Sequence, residues 1–200
     1  MRKIIYIICS VLAFTGLAIG IFFTSDHLAY KWESERLLKA TLTDTAGNPW
    51  QLKSLKDKIG IIYFGYTFCP DVCPTALNDL SIALDNIEEG RATFKPIFIS
   101  VDPGRDTLGI IKEYTAHFDD DILGLTGTRS ELKSFSFNFG ATYVLQKKGP
   151  SDQDYDVNHT AGFFMVTSSG DKLPVPLRDS PEELQKVILK VKKRLLDTSH

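Results

Sequence analysis

A continuous apolar stretch, IGIIYFGY, occupies residues 59–66 and runs almost directly into a pair of cysteines, Cys69 and Cys73. β-Branched and aromatic residues without polar alternation are typical of a strand that is buried on both faces of a parallel sheet. A helical pattern follows, and then a second buried stretch over residues 93–102. Because parallel strands need a long crossover, this order predicts an α/β fold with the cysteines at the carboxyl ends of its strands.

The flanking segments predict more strands and helices around this sheet. A β-hairpin that turns at residues 46–48 precedes the first buried strand. A helix capped by Asp106 follows the second buried strand, and Ser180 and Pro181 mark the start of a final amphipathic helix. Residues 150–159 are expected to form a polar connection. The element order resembles a thioredoxin-like central sheet with flanking helices and an extra N-terminal β-hairpin.

The N-terminal segment from residue 4 to residue 23 contains no charged side chain and is long enough to span a bilayer as a helix. Two basic residues precede it, so the positive-inside rule keeps the N-terminus in the cytoplasm and carries the rest across. We therefore expect a transmembrane anchor at residues 1–24, a stalk at 25–37 and a folded domain at 38–200. The expected location is a bacterial inner membrane, crossed once, with the C-terminal domain in the periplasm. A cleaved signal peptide is the alternative.

Net charge and cysteine count narrow the function classes. A net charge of -2 gives no basic surface large enough for nucleic acid, so no nucleic-acid partner is expected. Of the three cysteines, Cys9 lies inside the N-terminal apolar segment and is expected to be a membrane-helix residue. The exported domain then holds one pair, Cys69 and Cys73, which in an oxidising compartment is usually a disulfide. A redox couple and a metal site are the alternatives.

The spacing of the two cysteines places both at the start of the predicted helix. Residues i and i+4 face the same way on one helical turn. Pro74 disfavours helical geometry at Cys73, so the alternative is a helix that starts at Pro74 with Cys69 in the loop before it. Since the dipole and the free N–H groups of a helix N-terminus favour thiolate, both sulfurs are expected to ionise readily. A thiolate pair binds a soft metal ion or attacks a disulfide.

A histidine late in the chain offers a third ligand. Thioredoxin-like oxidoreductases usually place a cis-proline opposite their cysteines, whereas the corresponding stretch here, residues 156–166, lacks proline and contains His159. In a thioredoxin-like sheet His159 is expected to point at the cysteines, although a lone histidine near a strand is more often an ordinary polar residue. Two thiolates and one imidazole fall short of the four ligands of structural zinc. They suit copper, as Cu(I) or as Cu(II) with a fourth weak ligand.

Three motifs together carry a family resemblance. They are YFGYTFCPDVCPTAL at residues 63–77, FISVDPGRDT at 98–107 and DVNHTAGFFMV at 156–166. With the hairpin at residues 42–58 and the N-terminal segment, they resemble the Sco/SenC family of copper-binding, thioredoxin-like membrane proteins. The resemblance covers residues 38–197.

This resemblance implies a membrane-anchored copper metallochaperone that binds copper through Cys69, Cys73 and His159. Its implied role is to assist assembly of the dinuclear copper site of cytochrome c oxidase. The expected partners are cytochrome c oxidase subunit II or another copper protein, an upstream copper donor and a thioredoxin-like reductant. The alternative is a thiol-disulfide oxidoreductase acting on partner cysteines, with Cys69 as nucleophile and Cys73 as the resolving cysteine.

Three polar residues are candidates for hydrogen bonds to the ligands: Asp71, Asp102 and Asn158. For Asp71 the alternative is a solvated loop residue, and for Asp102 it is a local salt bridge with Arg105. Asn158 stands where relatives commonly have aspartate, and Phe68 stands where many have histidine. Neither departure removes a ligand, and either would tune the metal affinity or the orientation of the imidazole.

Overall fold

The computed structural model describes residues 35–149 and 155–198, without the side chains of His159 and Thr198. The predicted anchor at residues 1–24 and most of the predicted stalk at 25–37 lie outside the described residues. Within the described ranges, none of the helices has the length and apolarity needed to cross a membrane. A compact unit begins at Leu37 and contains the two cysteines and the strands around them.

The described residues form a seven-stranded sheet and a separate two-stranded sheet. The strands are β1 (Leu42–Asp44), β2 (Pro49–Trp50), β3 (Ile59–Gly65), β4 (Phe94–Ser100), β5 (Leu123–Thr126), β6 (Tyr143–Lys147), β7 (Tyr155–His159), β8 (Phe163–Val166) and β9 (Lys172–Val175). The large sheet has the order β2-β1-β5-β4-β3-β8-β9, and β6 pairs with β7. β3, β4 and β5 are parallel neighbours, while β8 runs antiparallel to β3. The predicted buried strands and the N-terminal hairpin are confirmed.

Helices connect these strands, and those after β3 and β4 and at the C-terminal end of the described chain lie at the predicted positions. They are α1 (Val72–Asp85), α2 (Gly90–Thr93), α3 (Leu108–Phe118), α4 (Arg129–Asn138) and α5 (Pro181–Thr198), with a 3-10 turn at Leu52–Leu55 and a helical stretch at residues 35–39. The N-terminus of α4 has a complete capping box between Thr128 and Glu131. The Ser180 hydroxyl accepts a hydrogen bond from the Glu183 N–H at 3.3 Å, as predicted for α5.

Helices cover both faces of the large sheet. Successive strand residues point to opposite sides, so the apolar strands present side chains to the helices on each face. On one face the Phe98 ring of β4 packs against Tyr114 of α3, with centroids 5.3 Å apart. On the other face Phe64 of β3 packs against Phe135 and Phe139 of α4. The predicted arrangement, a central sheet with flanking helices, is thereby confirmed.

The small sheet corrects the expectation for residues 150–159, of which 155–159 are described. They form β7 instead of a polar connection, and β7 pairs antiparallel with β6. Buried and exposed residues alternate along this segment, as in a strand: Val157 is buried while its neighbour Asn158 is exposed. The acidic composition conceals this alternation in the sequence. The chain returns to the large sheet only at β8.

Candidate metal centre

The two cysteines lie on the loop and first helical turn that follow β3. Both are free thiols, and both are buried; Cys73 is fully buried, while Cys69 keeps 8% of its surface exposed. The Cys73 backbone N–H donates to the Cys69 sulfur at 3.4 Å. Since this N–H belongs to the first turn of α1, it stabilises negative charge on that sulfur. α1 begins at Val72, two residues before the alternative start at Pro74, because the first turn of a helix tolerates proline.

Cys73 ionises less readily than the sequence predicts. Burial raises the pKa of the Cys73 thiol well above its ordinary value, and a hydrogen bond with the Cys69 side chain raises it further. Hydrogen bonds from the Tyr66 backbone and the Tyr63 hydroxyl act in the opposite direction and are outweighed. The expectation that both thiols ionise readily is therefore wrong for Cys73, since loss of solvent outweighs the helix N-terminus. Burial therefore favours the protonated form of this thiol in the metal-free protein.

Gly65 lets the Cys73 sulfur approach the end of β3. A Cβ at this position would stand 2.8 Å from Phe98 Cε2, 3.1 Å from Tyr63 Cε1 and 3.2 Å from Cys73 Sγ. The surrounding rings are buried and fixed, so they leave no space for an added methyl group.

We expect Gly65→Ala to lower the free energy of unfolding by about 1–3 kcal/mol, the usual cost of overpacking a core. Urea denaturation of the reduced protein measures this. Gly109→Ala is the control, because a Cβ at Gly109 meets nothing within 4 Å. Equal stability of the two variants would show that the methyl group is accommodated beside Cys73.

A cavity of about 370 Å³ opens beside the cysteine loop. Its walls come from the loop and from β7, namely Tyr66, Cys69, Pro70, Asp71, Val72, Asp156, Val157 and Asn158. The backbone of Val157 also hydrogen-bonds to the Tyr66 hydroxyl. Strand β7 therefore lies directly against the cysteine loop, although the two segments are far apart in the sequence.

His159 follows these wall residues at the end of β7. Its backbone pairs with Tyr143 across the small sheet, and its side chain is outside the described part of the structure. The prediction that the imidazole points at the cysteines consequently remains a prediction. Among the described side chains, no group of three or more histidines, cysteines, aspartates or glutamates comes together as a metal site.

The described sulfurs nevertheless fit a soft metal ion. They are adjacent, reduced and screened from water, and thiolate sulfur is the ligand type that selects Cu(I). Asp71 and Asn158 line the same cavity and are both exposed. The Asn158 side-chain amide donates to Gln146 at 2.9 Å across the small sheet. Their predicted contacts with a ligand remain predictions.

The loop between β4 and α3 holds two buried carboxylates with separate tasks. Asp106 accepts hydrogen bonds from the Thr67 N–H at 3.0 Å, the Thr67 hydroxyl at 2.6 Å and the Ser100 hydroxyl at 2.5 Å. The sequence predicts Asp106 as the N-cap of α3, and this prediction is wrong. Thr107 is the N-cap, and its hydroxyl accepts a hydrogen bond from the Ile110 N–H at 3.3 Å. Asp106 thus fixes the start of the cysteine loop.

Asp102 forms the alternative contact, a salt bridge with Arg105, whose Nε lies 2.5 Å from the Asp102 carboxylate. The predicted hydrogen bond between Asp102 and a metal ligand remains a prediction. Asp102 also accepts a hydrogen bond of 2.5 Å from the Tyr155 hydroxyl, which sequence reasoning misses. No local pattern could have revealed this contact, because Tyr155 lies 53 residues further along the chain.

Comparison with known proteins places these features in one family. The SCO1/SenC family model matches residues 38–195. The mitochondrial protein SCO2 of Saccharomyces cerevisiae is 34% identical over 143 residues, which is 71% of this chain and 48% of that protein. The chain therefore matches about half the length of this relative.

Solved structures agree with the fold. Arabidopsis thaliana ScoI with copper bound has a TM-score of 0.69 at 31% identity, and covers 77% of this chain and 96% of that chain. Bradyrhizobium japonicum ScoI with copper bound has a TM-score of 0.65 at 36% identity, with 75% and 95% covered. BsSco, a member of the Sco family of cytochrome c oxidase assembly proteins, has a TM-score of 0.57 at 24% identity, with 78% and 91% covered, and supports the fold alone. With a match over residues 38–195 and copper-bound relatives of the same fold, this chain belongs to the SCO1/SenC family.

Proposed function

We propose that this protein is a copper metallochaperone that binds copper through Cys69, Cys73 and His159. The observation that carries the proposal is the cavity in which the cysteine loop faces β7, the strand that ends in His159. Copper-bound relatives with 31% and 36% identity support copper as the cargo. Copper suits two thiolates and one imidazole, whether as Cu(I) or as Cu(II) with a weak fourth ligand.

The two sulfurs have different roles in loading. Cys69 lines the cavity, so it is the sulfur that a metal-carrying partner meets first. Cys73 is fully buried behind it and is held by Tyr63 and by the backbone of Tyr66. Loading requires the reduced pair, because a disulfide removes both thiolates. Unloading proceeds by exchange of Cys69 for a thiolate of the receiving protein.

Loading should become tighter as the pH rises. Burial raises the pKa of Cys73, so this thiol is protonated throughout pH 6–8 and must release its proton when copper binds. Each proton released makes the apparent affinity about tenfold stronger per pH unit. We expect Cu(I) competition titrations to show a slope of log affinity against pH of at least about one. An affinity that does not change between pH 6 and pH 8 would show that Cys73 is not a ligand.

Copper titration of the reduced full-length chain, beside its His159→Ala variant, tests the proposed function. We expect one copper per chain in the parent protein, read by mass spectrometry and absorption, and weaker binding in the variant. A parent chain that binds no copper after full reduction, or a variant that binds as tightly, contradicts the proposal.

The second candidate function is thiol-disulfide exchange with partner cysteines. It is favoured by the difference in exposure between the two sulfurs. The more accessible Cys69 would attack the partner disulfide, and the buried Cys73 would resolve the mixed disulfide. Turnover with a disulfide substrate that survives His159→Ala distinguishes it from copper transfer, since exchange does not need the imidazole.

We propose the partners and the location from the family. Cytochrome c oxidase subunit II or another copper protein would receive the metal, an upstream donor would supply it, and a thioredoxin-like reductant would keep the cysteines reduced. The apolar segment at residues 4–23 would anchor the protein in a bacterial inner membrane, with residues 38–200 in the periplasm. Protease protection in intact spheroplasts, compared with the osmotically opened cells, checks this orientation.

A further inference from the structure

We infer that Asp102, Arg105 and Tyr155 form a clamp that positions β7, and with it His159, against the cysteine loop. The clamp joins two segments that share no strand pairing: β7 pairs with β6 and is not part of the large sheet. Apart from the clamp, β7 contacts the loop through the hydrogen bond between the Val157 backbone and the Tyr66 hydroxyl and through the packing of its buried side chains. These three residues are positioning residues, because none of them is a proposed ligand.

The clamp is closed by contacts on both sides of the Arg105 guanidinium. Arg105 Nε donates to Asp102 at 2.5 Å, and Arg105 Nη1 donates to the backbone carbonyl of Tyr155 at 2.9 Å. The Tyr155 hydroxyl donates to the other Asp102 oxygen at 2.5 Å. The three residues therefore form a closed ring in which every bond includes a charged group, the stronger kind of protein hydrogen bond.

Stacking adds to these hydrogen bonds. The guanidinium carbon lies 3.8 Å from the centroid of the Tyr155 ring, and 5.1 Å and 5.8 Å from those of Phe68 and Tyr66. Tyr66 and Phe68 lie at the start of the cysteine loop, whereas Tyr155 begins β7. One planar cation thus contacts aromatic rings from both segments that must meet at the metal.

The clamp is rigid enough to set a position. Asp102 is buried, with 1% of its side chain exposed, and the Arg105 side chain is 12% exposed. The same loop carries Asp106, which holds Thr67 at the start of the cysteine loop. A single loop between β4 and α3 therefore fixes the cysteines through Asp106 and β7 through Asp102 and Arg105.

The test uses two variants. Tyr155→Phe removes the hydroxyl and keeps the ring under Arg105. Arg105→Lys keeps the positive charge and removes the planar set of guanidinium N–H donors. Arg91→Lys is the matched control, because Arg91 also bridges carboxylates, Asp85 and Asp119, but lies before β4 at the opposite end of the sheet. All are made in the full-length chain in detergent micelles and also in the His159→Ala background.

The first readout is hydrogen exchange in the reduced, copper-free protein. We expect the amides of Val157 and Asn158 to exchange at least about tenfold faster in both clamp variants and at the parental rate in Arg91→Lys. Unchanged exchange at these amides would overturn the clamp. This readout needs no copper, so it tests the clamp even if the proposed function fails.

The second readout is Cu(I) affinity, and it rests on the proposed function. Positioning residues of metal ligands typically contribute 10–100-fold, so we expect Tyr155→Phe to weaken binding about tenfold. In the His159→Ala background the same change should have no further effect, because the clamp acts through His159. An equal loss in both backgrounds would overturn the clamp while leaving copper binding intact. A parent chain without copper affinity would instead overturn the proposed function.

Discussion

Cys73→Ser should weaken copper binding by the reduced chain by at least about 100-fold. The fully buried Cys73 sulfur is one of the two thiolates available in the described structure, and serine offers a hard oxygen in its place. Structural zinc sites with four ligands bind the metal with a free energy of about 10–16 kcal/mol, or about 3 kcal/mol per ligand. On that scale the loss of one thiolate weakens binding by at least about 100-fold. Competition against a chromophoric Cu(I) chelator measures the change.

Cys9→Ser is the matched control for this substitution. It removes the third cysteine of the chain, which lies in the N-terminal apolar segment outside the described residues. We expect this variant to bind copper like the parent. If Cys73→Ser binds equally tightly under full reduction, Cys73 is not a ligand and the two-sulfur site is wrong.

Asp106→Ala should destabilise the protein by about 3–5 kcal/mol. The variant leaves the Ser100 hydroxyl, the Thr67 N–H and the Thr67 hydroxyl without their shared acceptor. An unsatisfied buried donor costs about 1–3 kcal/mol, and more when its lost partner is charged. Chemical denaturation of the reduced protein gives the difference in unfolding free energy.

Asp85→Ala provides the comparison for Asp106→Ala. Asp85 also pairs with a cation, Arg91, but its side chain is 65% exposed. Since exposed ion pairs contribute about 0–1 kcal/mol, this control should stay close to the parent. A loss for Asp106→Ala as small as that of the control would show that water replaces the carboxylate at Thr67.

Much of the fold follows from local patterns in the sequence. The unbroken apolar runs identify β3 and β4 because parallel strands with helices on both faces have no polar side. The capping box at Thr128 and the cap at Ser180 mark the starts of α4 and α5, because caps depend on neighbouring residues alone. The position of the cysteines after β3 follows in the same way.

The supporting contacts of the site could not be predicted, since they join distant segments. The polar composition of residues 155–159 conceals β7, and the chain distance between Asp102 and Tyr155 conceals the clamp. The raised pKa of Cys73 depends on burial, which a helix N-terminus in the sequence does not indicate. Asp106 has the residue type of a helix cap, yet the folded chain uses it to hold Thr67.

X-ray absorption of the Cu(I)-loaded, reduced full-length chain counts the atoms bonded to the metal and so tests the proposed ligand set of Cys69, Cys73 and His159. We expect two sulfurs and one imidazole nitrogen in the parent protein, with the nitrogen lost in His159→Ala. A spectrum with two sulfurs and no nitrogen, identical in the parent and the variant, would contradict this ligand set.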